Sequence, residues 1–130
     1  MVPMREIWIP GEMPSLNDIV SSAKRHWAQY SNAKRKYTGS VIRACKRVPP
    51  VEEQVMVYCH WQVRDRRKDP DNIAAGIKYV LDGLVKAGVL ADDGWRQVKA
   101  IHHTFEVNKG EPGCMVHLYK VIEPQEGRTA

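Results

Sequence analysis

Hydrophobic residues along this chain recur at two different periods, and the changes of period mark out its elements. Val55, Val57, Cys59, Trp61 and Val63 recur at every second position, with Met56, Tyr58, His60 and Gln62 between them. That alternation predicts a half-buried strand within Val51–Arg64. Ile7 and Ile9 alternate with Glu6 and Trp8 in Arg5–Pro10, a shorter strand of the same kind. Gln97–Val107 and Cys114–Ile122 alternate as well and give two more. Ile73, Ile77, Val80, Leu81, Leu84 and Val85 instead fall at helical spacing and predict an amphipathic helix over Ile73–Ala87. Asp71 or Asn72 suits its start, and Gly88 its C′ position. Leu16 to Arg47 holds no proline and only Gly39, so it reads as helix. Ser31-Asn32 and Thr38-Gly39-Ser40 are the expected interruptions there, and Pro49-Pro50 ends the segment. Gly11–Ser15, the charged Asp65–Asn72, Val89–Gly94 and Asn108–Gly113 read as connections. Glu123–Ala130 reads as a polar, frayed end. No internal repeat is present.

Composition narrows the class. The chain has 130 residues, 43% of them apolar and 27% charged, which is ordinary for one globular domain. No apolar run approaches membrane-spanning length, and Met1–Pro10 carries Arg5 and Glu6 where a signal peptide would be apolar. Cys45, Cys59 and Cys114 are odd in number and form no CxxC pair, which argues against a disulfide framework or a zinc knuckle and for a reducing, cytoplasmic setting.

Charge changes the picture more. The formal net charge is +5, yet Lys24, Arg25, Lys34, Arg35, Lys36, Arg43, Lys46 and Arg47 fall within residues 19–51, where there is no acidic residue. Trp27, Tyr30 and Tyr37 lie among them. Two readings compete: a solvated helix, or a surface for a polyanion such as a nucleic acid backbone.

The acidic residues suggest chemistry. Asp69 and Asp71 are separated by one residue, and in extended backbone both side chains point to one side. Two carboxylates so placed repel unless a cation lies between them, and Mg2+ suits hard oxygen ligands. A solvated turn with a helix cap explains the pair equally well. Asp92-Asp93 is a second acidic pair, beyond a helix of about 22 Å at 1.5 Å per residue. The return segment Gly88–Asp93, extended, spans about that length, so a shared site is geometrically open but not demanded.

The motifs then become familiar. Arg66-Arg67-Lys68-Asp69-Pro70-Asp71-Asn72, then Lys78, Leu81-Asp82-Gly83-Leu84 and Ala91-Asp92-Asp93, resemble the RusA-like Holliday junction resolvase family. Pro14-Ser15-Leu16-Asn17 is similar to that family's opening segment. The strong part of the match covers Arg66–Val98. The resemblance implies an α+β fold for residues 1–130: a single domain with a mixed β-sheet and two main helices, forming a homodimer. It implies a Mg2+-dependent endodeoxyribonuclease, with Mn2+ as an alternative ion, that cuts four-way DNA junctions by paired nicks in recombination and repair, as in prophages. It assigns Asp69, Asp71 and Asp93 as metal-binding catalytic carboxylates and Lys78 as the essential lysine. Asp71 to Lys78 is three residues longer than in the family pattern, an expansion placed within Ile73–Gly76. With the basic segment, these motifs give Lys24, Arg25, Lys34, Arg35, Lys36, Arg66, Arg67 and Lys68 as candidate DNA contacts.

Other residues carry less. His26, His60, His102, His103 and His117 show no ligand spacing with the cysteines and read as structural or surface residues. Trp95, after the acidic turn, reads as a core or interface residue, with packing on DNA as the alternative. Lys78 and Asp82 can also be read as an ordinary i, i+4 pair. A non-catalytic nucleic-acid-binding module using residues 19–51, and a protein-interaction protein with an acidic patch, are the competing functions.

Overall fold

The computed structural model describes residues 2–25 and 27–122, without the side chains of Ser22, Ala23 and Arg25. The elements in chain order are β1 (Arg5–Pro10), α1 (Leu16–Arg25), α2 (Trp27–Ala44), β2 (Val55–Val63), α3 (Pro70–Ala74), α4 (Ile77–Lys86), β3 (Val98–Val107) and β4 (Gly113–Lys120). The strands form one mixed sheet in the order β1-β4-β2-β3. β4 pairs antiparallel with both β1 and β2, while β2 and β3 are parallel, joined through α3 and α4. A parallel pair needs such a long crossover, since a hairpin cannot return the chain in the same direction. This is an α+β domain with a four-stranded mixed sheet.

The period-2 pattern sorts the sheet into two faces. Val55, Val57, Cys59 and Trp61 of β2 lie beside Cys114, Val116 and Leu118 of β4 and Ile7 and Ile9 of β1, and all are buried. Val41 and Cys45, from α2 and the turn after it, and Val80 and Leu84 of α4 complete this core. The three cysteines are buried with free thiols. The opposite face carries Trp8, Tyr58, His60, His117 and Tyr119, with no helix layer over it among the described residues. Gly83 lets α2 and α4 approach: a Cβ there would collide with the Val41 side chain. Gly88 has φ 79° and donates its N–H to the Val85 carbonyl at 3.0 Å, ending α4 as its C′ position predicts.

β3 departs from this plan. Ile101, His103 and Phe105 register with Val57, Cys59 and Trp61, on the helix-covered side of the sheet. Ile101 and Phe105 are nevertheless exposed, because the helix layer ends over β2. β3 is also an edge strand, so its outer backbone groups face outward.

Two expected boundaries are corrected. The long N-terminal helical region is described as α1 and α2 on either side of residue 26, and Ser31-Asn32 and Thr38-Gly39-Ser40 do not interrupt it but sit inside a continuous α2. Packing of Thr38 and Val41 against α4 overrides their weak helix propensity. The single helix expected over Ile73–Ala87 begins earlier and is divided: α3 starts at Pro70, and Ala75-Gly76 separates it from α4. Its N-cap is Asp69 rather than Asp71 or Asn72, because Pro70 at the first helical position fixes the entry. The expected frayed end, 123–130, lies outside the described residues, as does His26.

Candidate nucleic-acid interface and acidic turns

Asp69 keeps extended backbone (φ −73°, ψ 153°) and its carboxylate makes no cap hydrogen bond; both it and Asp71 are exposed. Asp71 is already helical, in the first turn of α3, and its Oδ1 accepts from the Asn72 N–H at 2.9 Å. The expectation that both carboxylates share one side needs extended backbone through Asp71, and only Asp69 has it. The turn before them is held from outside. Asp65 Oδ1 accepts from the Arg67 N–H at 3.0 Å, and Lys68 Nζ meets Asp18 Oδ2 at 3.0 Å. Asp18 also accepts from the N–H and hydroxyl of Ser15, each at 3.0 Å. Partial burial works to raise the Asp18 pKa. The Ser15 hydrogen bonds and Lys68 outweigh it, so the carboxyl sits below its ordinary value.

The second acidic turn separates its two aspartates by role. Asp92 Oδ1 accepts from the Gly94 N–H at 2.9 Å, so it closes the turn, while Asp93 is exposed. The turn is anchored by Gln97, which sequence reasoning missed. Its Oε1 accepts from the N–H groups of Ala91 (2.8 Å) and Asp92 (3.1 Å), and its Nε2 donates to the Val51 carbonyl at 2.6 Å. A buried glutamine ahead of a strand gives no periodic signal; only the fold reveals what it joins.

The two turns lie at opposite ends of β3. A shallow cavity at its C-terminal end is lined by Asp69, Pro70, Ile73, Phe105 and Val107. Another, toward its N-terminal end, is lined by Asp93, Trp95, Val98, Lys99 and Ile101. A strand of this length spans on the order of 30 Å. Residues 88–97 lead to the start of β3 instead of returning to Asp69, so the return that the spacing left open is not taken. Among the described residues, no group of three His, Cys, Asp or Glu is placed to hold a metal ion. Asp69, Asp71 and Asp93 of one chain therefore do not by themselves fit a Mg2+ site.

Lys78 is exposed in the first turn of α4, which Ala75-Gly76 separates from the helix that holds Asp71. It makes no ion pair with Asp82, so the ordinary i, i+4 reading is not realised. Of the candidate DNA contacts, Lys24, Arg35, Lys36, Arg66 and Arg67 are exposed and Lys34 is half-buried. Lys68 is engaged by Asp18, and the Arg25 side chain lies outside the described residues. Lys36 and Arg43 occupy the α2 face opposite Thr38 and Val41. Trp27 is 73% exposed and its ring lies 5.6 Å from that of Tyr30, whereas Tyr37 packs on Tyr79 of α4. Trp95, at 92% exposure, is not a core residue.

The described histidines take structural and surface positions. The Trp61 indole N–H donates to His103 Nδ1 at 2.9 Å. Burial, then the neighbouring His102, holds the His103 pKa below its ordinary value. His60 bridges Thr104 (2.6 Å) and Glu106 (3.0 Å) on the open face.

No protein-family model matches the chain, and no curated protein matches it. No helix among the described residues is long and apolar enough to cross a membrane.

Proposed function

We propose that this protein is a Mg2+-dependent, structure-selective endodeoxyribonuclease that resolves four-way DNA junctions by paired nicks, acting as a homodimer of the RusA-like kind. The observation that carries this reading is the placement of the two acidic turns at opposite ends of one exposed edge strand. A two-fold axis pairs such an edge antiparallel with its own copy. Asp69 and Asp71 of one chain then come beside Asp93 of a second copy, and the same grouping forms twice. Two equivalent acidic sites are what paired cuts in a symmetric junction need. The exposed Ile101, Phe105 and Trp95 supply apolar area for the contact. Grouped across the two copies, Asp69, Asp71 and Asp93 would hold Mg2+, which would supply charge neutralisation at the scissile phosphate. Lys78 adds a fixed cation nearby. Lys24, Lys34, Arg35, Lys36, Arg66 and Arg67 hold the DNA backbone.

A second reading, a non-catalytic nucleic-acid-binding module, is favoured by the lack of a metal-holding group among the described residues of one chain. A synthetic mobile four-way junction with and without Mg2+ separates the two. Metal-dependent paired nicking is expected, lost by orders of magnitude in Asp69→Asn, Asp71→Asn and Asp93→Asn, with gel-shift affinity retained. Binding without nicking at any Mg2+ or Mn2+ concentration leaves the binding module.

A further inference from the structure

A cavity of about 160 Å³ opens beside the first acidic turn, between residues 12–15 and the end of β2. Met13, Trp61, Val63 and Ile73 give it apolar walls, and Asp65 and Arg67 stand at its polar side. We propose that this cavity receives one unstacked nucleobase of the DNA, with the flanking phosphate on Arg67. The inference deepens the DNA reading above and rests on it for the source of the base.

Size limits the occupant. Pockets for drug-sized ligands run to roughly 300–1,000 Å³, so this one suits a single ring system. Its walls suit a ring face: three aliphatic side chains and an indole, with methionine able to adjust its fit. Charge selects the rest of the ligand. Lys68 is spent on Asp18, but the Arg67 side chain is 89% exposed and meets Asp65 only at 3.7 Å. A guanidinium so weakly held is available to a phosphate oxygen. Lys68, on the same cavity, directly precedes Asp69, so a nucleotide seated here has its neighbouring phosphate at the acidic turn.

The cavity is also preformed. The Arg64 N–H donates to Glu12 Oε1 at 2.6 Å, closing one side of the lip, and the Lys68–Asp18 pair ties the loop to α1. Trp61 is fixed from behind by its bond to His103. Walls held from several elements lower the ordering cost of binding. Extruding a base from a stacked arm is costly, and least so at a branch point where stacking is already interrupted.

The test has two arms. In the first, methyl resonances of Met13 and Ile73 in wild-type protein are followed by NMR during titration with millimolar deoxyadenosine 5′-monophosphate, with deoxyribose 5-phosphate as control. Saturable ring-current shifts with the nucleotide alone are expected. Unmoved methyls, or equal shifts with the sugar phosphate, overturn the proposal. In the second, a four-way junction carrying 2-aminopurine at the branch point is added in EDTA. Its emission should rise several-fold on binding wild type and stay flat on binding Met13→Trp, which fills the cavity. A bound junction with no rise, or the same rise with Met13→Trp, overturns the proposal. Nucleotide shifts without junction binding sink the junction-resolving reading and leave the pocket standing.

Discussion

At the scale of single residues, the least expected side chains are buried and polar. Thr38 Oγ1 lies between α2 and α4 and has no hydrogen-bond partner among the described residues. A buried, unpaired hydroxyl costs about 1–3 kcal/mol of desolvation. Thr38→Val keeps the shape and removes the cost, so it should raise stability by about 1 kcal/mol, read as a higher urea midpoint at unchanged m-value. An unchanged or lower midpoint would mean that the hydroxyl finds a partner in solution. His103 sets a pH dependence. Its folded pKa lies below the unfolded value of about 6.5, so between the two values the unfolded chain binds more protons. Its contribution is thus fully present above about pH 6.5 and is lost as pH falls through the lower, folded value. His103→Gln keeps an acceptor for the Trp61 indole while removing the titration. Its urea midpoint should fall less than that of wild type between pH 7.5 and 5. Equal falls would assign the dependence to other groups. Asp18 acts in the same direction further down: its contribution is lost only as pH drops below about 3.8.

At the scale of elements, the proposed activity distinguishes two exposed lysines of α4. Lys78 and Lys86 are both exposed on it, two turns apart, but only Lys78 lies at the end beside the first acidic turn. Lys78→Ala should slow Mg2+-dependent nicking by at least a hundredfold with junction affinity kept, whereas Lys86→Ala should nick at the wild-type rate. Equal rates for the two variants would show that the three-residue expansion before α4 has moved the catalytic cation elsewhere. Ala75-Gly76 separates α3 from α4 at this point of the chain. That break was not legible in the sequence, because the apolar stripe from Ile73 to Val85 runs through it without a change of period. The strands were legible nearly to the residue. β1 matches its expected bounds, β2 and β3 lie within theirs, and β4 starts one residue early at Gly113 and ends at Lys120, since one covered face leaves a period-2 record along β1, β2 and β4. What the alternation could not tell is that β3 lacks its cover. Ile101 and Phe105 look like core positions in the sequence, and only the end of the helix layer over β2 makes them exposed.

At the scale of the whole molecule, each acidic motif was legible, yet their arrangement depends on which end of the sheet the chain returns to. The parallel pairing of β2 and β3 decides it: Val55 registers with Val98 and Val63 with Val107. The loop after β2 and the loop before β3 therefore fall at opposite ends. A site that needs both must draw them from two copies, and this has a consequence that a site within one chain lacks. Mix Asp69→Asn and Asp93→Asn proteins, each inactive alone, and let the subunits exchange. In a mixed dimer, one site gathers both substituted residues. The other gathers Asp69 from the Asp93→Asn chain and Asp93 from the Asp69→Asn chain, and is intact. Nicking of a four-way junction should return in the mixture, as single nicks at no more than about a quarter of the wild-type rate, since half the dimers are mixed and each has one working site. Sedimentation should show a dimer at micromolar concentration for wild type. Ile101→Lys with Phe105→Lys should shift it to monomer, because two desolvated charges oppose the edge contact. That double variant should also abolish nicking although every acidic residue is present. Activity that never returns in the mixture, with each variant shown to dimerise, would place all three carboxylates in one chain and overturn the shared site.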